Sequence, residues 1–410
     1  MSTTDFSAGG PTQQVKQKRL GRHGLVVFLA ALSAFPALST DLYLPALPAM
    51  TEYFSVPEYQ TNLTLILFFI FFALAILGWG PLSDRFGRRP VLLVGLVGYT
   101  AAGVLCGLSS NVFQLMAFRV LQAIGAGAAS TVATAIVKDV YQGHRRESIL
   151  AIIQSMMVLS PAVAPVIGAL ILRFTSWRGA FAAQAILGVL MLLGAIVFEE
   201  TIEDRLVGNP LASLKRLGVV LTNRTFAFLL LVFNLLSVAG MAFISTSSYI
   251  YQVTFGVSSQ VYSYFFAFYA AGLAVGPQIY MWLSRRLERT TIITLSFAIS
   301  AVSGLLVMLL GNYGPWPFIL ALLPGGIAFS VMRPPATYLM LGQHEGDAGS
   351  ASALMGSSNM VMGSAGILIV SLELWDRVLL IGALTLGLGL LSVALWVGVV
   401  QPLVLRGKRV

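Results

Sequence analysis

Long apolar stretches of about twenty residues, separated by short polar loops, constrain this chain more than any other feature. Each is long enough to cross the hydrocarbon of a bilayer as a helix. The pattern predicts twelve helices, numbered 1 to 12 in chain order. They are expected at 23–48, 59–82, 91–109, 112–138, 147–171, 178–198, 225–254, 260–283, 290–310, 317–341, 349–371 and 377–400. Only 10% of the residues are charged, against about 25% in an average soluble domain. The chain lacks the polar surface a water-soluble fold needs, so the fold class expected is an all-α membrane protein.

One loop is long and charged, "EETIEDRLVGNPLASLKRLGVVLTNR" at 199–224. It divides the chain into a tail (1–22), a six-helix half (23–198), a linker (199–224), a second six-helix half (225–400) and a short tail (401–410). No small-residue cleavage site follows the first apolar run, which is expected to be retained. The halves echo one another. "LSDRFGRRPVLL" from Leu82 recurs as "LSRRLERTTIIT" from Leu283, with Ser, Arg and Arg at the same spacing. A parallel repeat of two six-helix units is a known transporter architecture, with the substrate held between them near the midplane.

The net charge of +9 suits an oriented membrane chain better than a nucleic-acid binder, and no zinc-finger or basic recognition helix is present. With the N-terminus placed in the cytoplasm, twenty Lys and Arg fall on that side and three on the other; Arg119 and Arg333 remain inside helices. That imbalance orients the chain by the positive-inside rule, with both termini cytoplasmic. The histidines, His23, His144 and His344, all fall at cytoplasmic helix ends, so neither an intramembrane metal site nor a histidine relay is expected. No cofactor is expected, and the chain is not read as an enzyme. The single cysteine, Cys106, lies in an apolar run and is read as packing.

The loop "GPLSDRFGRRP", Gly80 to Pro90, carries the densest motif. Gly80 and Gly87 permit close packing or a tight turn. Asp84 stands where a helix N-terminus or an arginine can hold its charge. This loop resembles the signature of the major facilitator superfamily. The resemblance implies that Asp84, Arg85 and Arg88 form a charge relay between the halves that favours the outward-open state. Helix 4, "FQLMAFRVLQAIGAGAAS", is similar to that superfamily's second motif at Arg119, Gln122, Gly125 and Gly127, with Ala123 or Ile124 near its expected first Gly. Helix 5, "SMMVLSPAVAPVIGALI", resembles the antiporter motif at Pro161, Pro165 and Gly168, with Ser160 in place of the usual Gly. "STDLYLPALPAM" in helix 1 and "DAGSASALMGSSNMVMG" opening helix 11 resemble bicyclomycin-resistance (Bcr/CflA) drug exporters. The resemblance covers nearly the whole chain outside the N-terminal tail. It implies a monomeric, multi-pass protein of the bacterial inner membrane, exporting small antibiotics or metabolites in exchange for protons.

Asp41 is the one acidic residue well inside a predicted helix. An ionised carboxylate near mid-bilayer costs roughly 2.5–3.5 kcal/mol on insertion scales, and intramembrane ionisable groups are functional candidates by default. Counting from the predicted helix ends places Asp41 and Arg119 both roughly 10 Å below the outer surface at 1.5 Å per residue, close enough to pair. Desolvation favours a protonated carboxyl and a nearby arginine an ionised one, so Asp41 with Arg119 is the expected proton-coupling pair; a static clamp between helices 1 and 4 is the plainer reading. Arg333, in "FSVMRPPATYLM", either snorkels to the cytoplasmic interface or faces a central cavity. The residues expected to line such a cavity are Phe35, Asp41, Tyr43, Arg119, Gln122, Gln154, Met157, Asn234, Tyr249, Phe265, Tyr269, Tyr338, Met355 and Asn359. Aromatic and Met side chains adapt to varied apolar ligands, and a few amides orient them. Proton-coupled efflux of small amphipathic drugs leads the functional readings. Export of a cellular metabolite follows, then proton-coupled uptake. A receptor or scaffold would need a soluble output domain, and only short tails and one loop are present.

Overall fold

A computed structural model describes residues 17, 19–202, 210–343, 348–372 and 375–403. The predicted tails (1–22 and 401–410), the linker and the opening of helix 11 lie partly outside the described residues.

Twelve helices are long and apolar enough to cross a membrane: Gly21–Phe54, Glu58–Phe86, Arg88–Leu108, Val112–Val140, Gly143–Phe174, Trp177–Val197, Arg224–Thr254, Ser259–Leu283, Arg289–Tyr313, Pro315–Leu341, Gly349–Ser371 and Arg377–Leu403. They are helices 1 to 12. A linker helix, Pro210–Thr222, precedes helix 7. It packs against helix 2 of one half and helix 11 of the other. The end of the bundle where helix 1 begins and helix 12 finishes is the terminal end; the opposite end is the distal end.

Helix 1 is broken at Asp41. The α-helix runs Gly21–Asp41, a 3-10 turn covers Leu44–Ala46, and the helix resumes at Leu47–Phe54. Pro45 explains the break, because it has no N–H for the carbonyl four residues earlier, that of Asp41, and its ring crowds the same carbonyl. Helix 1 therefore extends past its predicted end, and thirteen residues of chain separate Asp41 from Phe54. At 1.5 Å per residue Asp41 lies roughly 20 Å from that end, deeper than the 10 Å expected.

Within each half, helices meet at glycines, and the meeting points repeat. A Cβ on Gly103 would press on Ala185, and one on Gly188 on Thr100, where helices 3 and 6 cross. At a spacing of 201 residues, Gly304 faces Leu386 and Gly389 faces Ala301, where helices 9 and 12 cross. The spacing from Leu82 to Leu283 is the same. The sequence echo in one loop is thus matched by an echo of packing at these crossings.

The halves are joined unevenly. The described hydrogen bonds between them are Thr51 with Tyr249 (2.9 Å), Asn62 to Ser371 (2.9 Å), Gln252 to the Pro45 carbonyl (3.0 Å) and Ser357 to the Ala73 carbonyl (3.0 Å). Glu58 and Arg377 add an ion pair. All but the Ser357 contact, near mid-helix, lie toward the distal end. One buried cluster spans both halves there, whereas helices 7, 9, 10, 11 and 12 form a separate cluster toward the terminal end, around Phe233, Phe297 and Trp396. Helix 5 packs on Ser259–Ala274 of helix 8, while Gly276–Leu283 turns to helix 10. Between Ala151 and Leu159, helix 5 is exposed over more than half its circumference. A helix facing lipid alone exposes one side, so a crevice opens between the halves toward the terminal end.

Candidate functional site

Asp41 sits where the two halves meet. It is 5% exposed, and its carboxylate accepts a hydrogen bond from the Thr40 hydroxyl at 3.0 Å. Tyr262 of helix 8, in the other half, lies within its electrostatic reach. Helix 5 approaches the helix 1 backbone closely one residue further on. A Cβ on Gly168 would overlap the Leu42 carbonyl, so only glycine permits this approach. The corresponding contact in the second half is Gly366 against the Val238 carbonyl. Pro161 and Pro165 are accommodated inside a continuous helix 5.

The expected ion pair between Asp41 and Arg119 is not formed. Arg119 is sealed, 0% exposed, inside the first half. Its Nη1 donates to the Ser39 carbonyl (2.9 Å) and to Gln122 Oε1 (2.7 Å). The guanidinium stacks over Phe68 and Tyr43, 4.2 and 4.7 Å from the ring centroids. Gln122 donates to Gln184, which reaches the same Ser39 carbonyl. The reason lies in helix geometry. Residues two apart point to nearly opposite sides, and the Ser39 side chain faces into the first half, bonded to Tyr99 at 2.7 Å. Asp41 therefore faces outward from that half while Arg119 stays within it.

The other expected cavity residues divide into groups. Phe35, Tyr43 and Gln122 are buried inside the first half, Phe35 against Tyr99 and Tyr43 bonded to Thr64, so they do not line the crevice. Tyr249 lies at the distal closure. Phe265 stacks on Tyr251 (4.9 Å between centroids) and Tyr269 meets Phe243 edge-on (4.8 Å), which seals the distal part of the second half. Tyr338 faces away from the crevice, beneath the Arg289 guanidinium. Asn234 and Asn359 form a network with Ser237 and Ser358 that ties helix 7 to helix 11, and Met355 is half-buried one turn away. Met157 is 41% exposed on the open part of helix 5. The Gln154 side chain lies outside the described residues. Large aromatic and amide side chains stabilise helix–helix contacts as readily as they meet a ligand, and sequence does not reveal their helical phase.

At the terminal end the loop after helix 2 belongs to a charge network. Arg88 reaches Asp84 (2.5 Å) and Asp139 (2.8 Å). Glu200 accepts from the backbone N–H groups of Arg88 and Arg89 at 3.0 and 3.1 Å, placing a carboxylate at the positive end of helix 3. Gly87 has φ +102°, which a side chain rarely adopts, and Glu200 packs against it. Arg85 is exposed and lies over Phe86, and Gly80 meets the Thr131 methyl at ordinary contact distance. Asp139 and Glu200 are site residues that sequence reasoning misses. The only signal is their position, each an acid at the terminal end of helix 4 or just after helix 6, beside a loop of arginines.

The sequence profile described as Major Facilitator Superfamily matches residues 27–367. The chain is 29% identical over 354 residues to "Uncharacterized MFS-type transporter YdgK" of Bacillus subtilis (strain 168), covering 84% of this chain and 87% of that protein. It is 29% identical over 287 residues to "Multidrug resistance protein MdtL" of Salmonella typhi, covering 67% and 72%. Among solved structures, a mutant of the peptide transporter POT in complex with sulfate superposes with a TM-score of 0.76 at 13% identity, covering 95% of this chain and 97% of that one. The xylose transporter XylE from E. coli, in a partially occluded inward-open conformation, gives 0.70 at 14% identity, covering 91% and 99%.

Proposed function

From the chain's membership of the Major Facilitator Superfamily, a family of membrane transporters of small substrates, we propose that it exports small amphipathic drugs in exchange for protons across a bacterial inner membrane. The similarity to a multidrug resistance protein supports the drug class, as do the segments of helices 1 and 11 that resemble Bcr/CflA exporters. The observation that carries the reading is the setting of Asp41. It is an intramembrane carboxylate at the break of helix 1, facing the other half, with no arginine bound to it among the described residues.

Coupling follows from that setting. Neutralised by a proton, Asp41 can remain buried between closed halves at little cost; ionised, it requires water or a cation. When the distal end opens, the carboxylate meets water and takes up a proton. In the terminal-open structure Asp41 is still buried and keeps its proton until drug enters the crevice and displaces it toward that side. The crevice is then the drug-loading state, with the terminal end at the cytoplasm. The experiment is transport by the purified protein in proteoliposomes under an imposed proton gradient, with drug-susceptibility profiling of cells lacking their own pumps. Drug movement that is independent of the gradient, or unchanged in Asp41→Asn, refutes the coupling. Resistance to no drug, with gradient-driven movement of a cell metabolite, favours the metabolite exporter.

A further inference from the structure

Arg333 is a guanidinium at membrane depth that no described group neutralises. It lies eight residues before the end of helix 10, roughly 12 Å along its axis. Among the described residues it makes no hydrogen bond and no ion pair, and the aromatic ring it lies over is that of Phe329, 5.9 Å away. Its direction follows from the helix. Ile319, Gly326, Arg333 and Thr337 form one stripe, at spacings of seven, seven and four residues. In the distal half, Ile319 and Gly326 on this stripe are buried, Gly326 against Tyr269 of helix 8. Two turns further, Arg333 and Thr337 are exposed. The lipid-facing stripe is a different one, marked by exposed Trp316, Leu320, Pro324 and Tyr338. The change from buried to exposed along a single stripe occurs where helices 5 and 8 part. Arg333 therefore projects into the crevice and not toward lipid.

A lone intramembrane arginine is retained against its desolvation cost when it meets a partner. Its planar fork of donors matches an oxyanion in two-point contact. We infer that Arg333 is the anion subsite of the crevice, and that the preferred substrate is an amphipathic molecule bearing one oxyanion, such as a carboxylate. The apolar part of such a molecule meets Met157 and its neighbours on the open face of helix 5. This inference rests on the transport reading and gives its substrate a charge.

The test uses the purified full chain in lipid nanodiscs and two fluorescent probes of the same shape, 1-pyrenebutyrate and 1-pyrenebutyramide. The wild type is expected to bind the carboxylate about tenfold more tightly than the amide, the scale of one charge-assisted contact. Arg333→Gln should lose that preference while still binding the amide, which shows that the variant is folded; Arg333→Lys should keep part of it. Wild-type protein that binds both alike, or neither, overturns the inference, as does an equal loss of both probes in Arg333→Gln. A second arm reads orientation: Arg333→Cys should react with a membrane-impermeant anionic thiosulfonate, and pyrenebutyrate should slow the reaction. No reaction means the position faces lipid, and the subsite is refuted. A wild type that binds pyrenebutyrate selectively but does not move it under a proton gradient refutes export and leaves the subsite intact.

Discussion

The guanidinium of Arg119 binds the main-chain carbonyl of Ser39, two residues from Asp41, and leaves the Asp41 carboxylate to the other half. The two charges that look paired in the sequence are held apart, each with its own partners. Arg119→Leu should destabilise the first half by about 3 kcal/mol, since two charge-assisted hydrogen bonds and the stacking on Phe68 and Tyr43 are lost together. Asp41→Asn should leave the melting temperature nearly unchanged and remove the response of drug export to an imposed pH step. Melting curves and liposome transport on the two single variants check this. A large loss of stability in Asp41→Asn contradicts it.

The ion pair of Glu58 with Arg377, with the Asn62–Ser371 bond beside it, holds the distal ends of the two halves together. A contact present in one state shifts the equilibrium by its differential free energy. Glu58→Gln should therefore populate distal opening, read as a longer component in spin-label distances between Tyr59 and Leu372, both exposed. The exchange Glu58→Arg with Arg377→Glu should restore the shorter distance. An unchanged distribution in Glu58→Gln shows that the pair is incidental.

Asp84 is bound to Arg88 within its own half, and no described hydrogen bond or ion pair ties it to helix 11. If its cross-half partner forms only when the terminal end closes, Asp84→Asn should deepen the bias toward terminal opening and slow turnover. Drug affinity measured in a trapped state should change little, because the loop lies far from Asp41. Distance measurements across the terminal ends of helices 2 and 11 decide the point. Collapse of transport with no change in distance leaves the loop as a topology signal only.

Gly168→Ala and Gly366→Ala should act alike, since each adds a methyl against a carbonyl of the helix it crosses, helix 1 in one half and helix 7 in the other. Both should lower the melting temperature and export. Gly98→Ala is the control. Nothing lies within 4 Å of that position, and alanine in a helix interior is favoured by about 0.5–1 kcal/mol. Thermal melting of the three variants separates a packing effect from a propensity effect.

Most helix bounds are legible in the sequence because length and apolarity are local properties. The repeat is legible too, through one loop. The end of helix 1 is not, because Pro45 and Pro48 look like a terminus, whereas in the fold they mark a kink that the helix survives. The partners of Arg119 are hidden as well, since they depend on which side of helix 1 faces inward, and both sides carry polar residues at 39, 40 and 41. The burial of Phe35, Tyr43 and Gln122 inside the first half, and the seat of Tyr338 beneath Arg289, are hidden for the same reason. Asp139 and Glu200 are remote in sequence from Arg88, and only the packing of helices 3, 4 and 6 brings them together.

The glycine crossings have a mechanical consequence. Helices 9 and 12 touch main chain to main chain at Gly304 and Gly389, and helices 3 and 6 meet at Gly103 and Gly188 through the Ala185 methyl and the Thr100 hydroxyl, so little lies between them to compress. Such close crossings leave little side-chain volume free to rearrange inside each half. The layer between the halves is held more loosely, by hydroxyls, amides and a single described ion pair. If Asp41 couples as proposed, a change in its charge is expected to act on that layer and on the break of helix 1 beside it, rather than within either half.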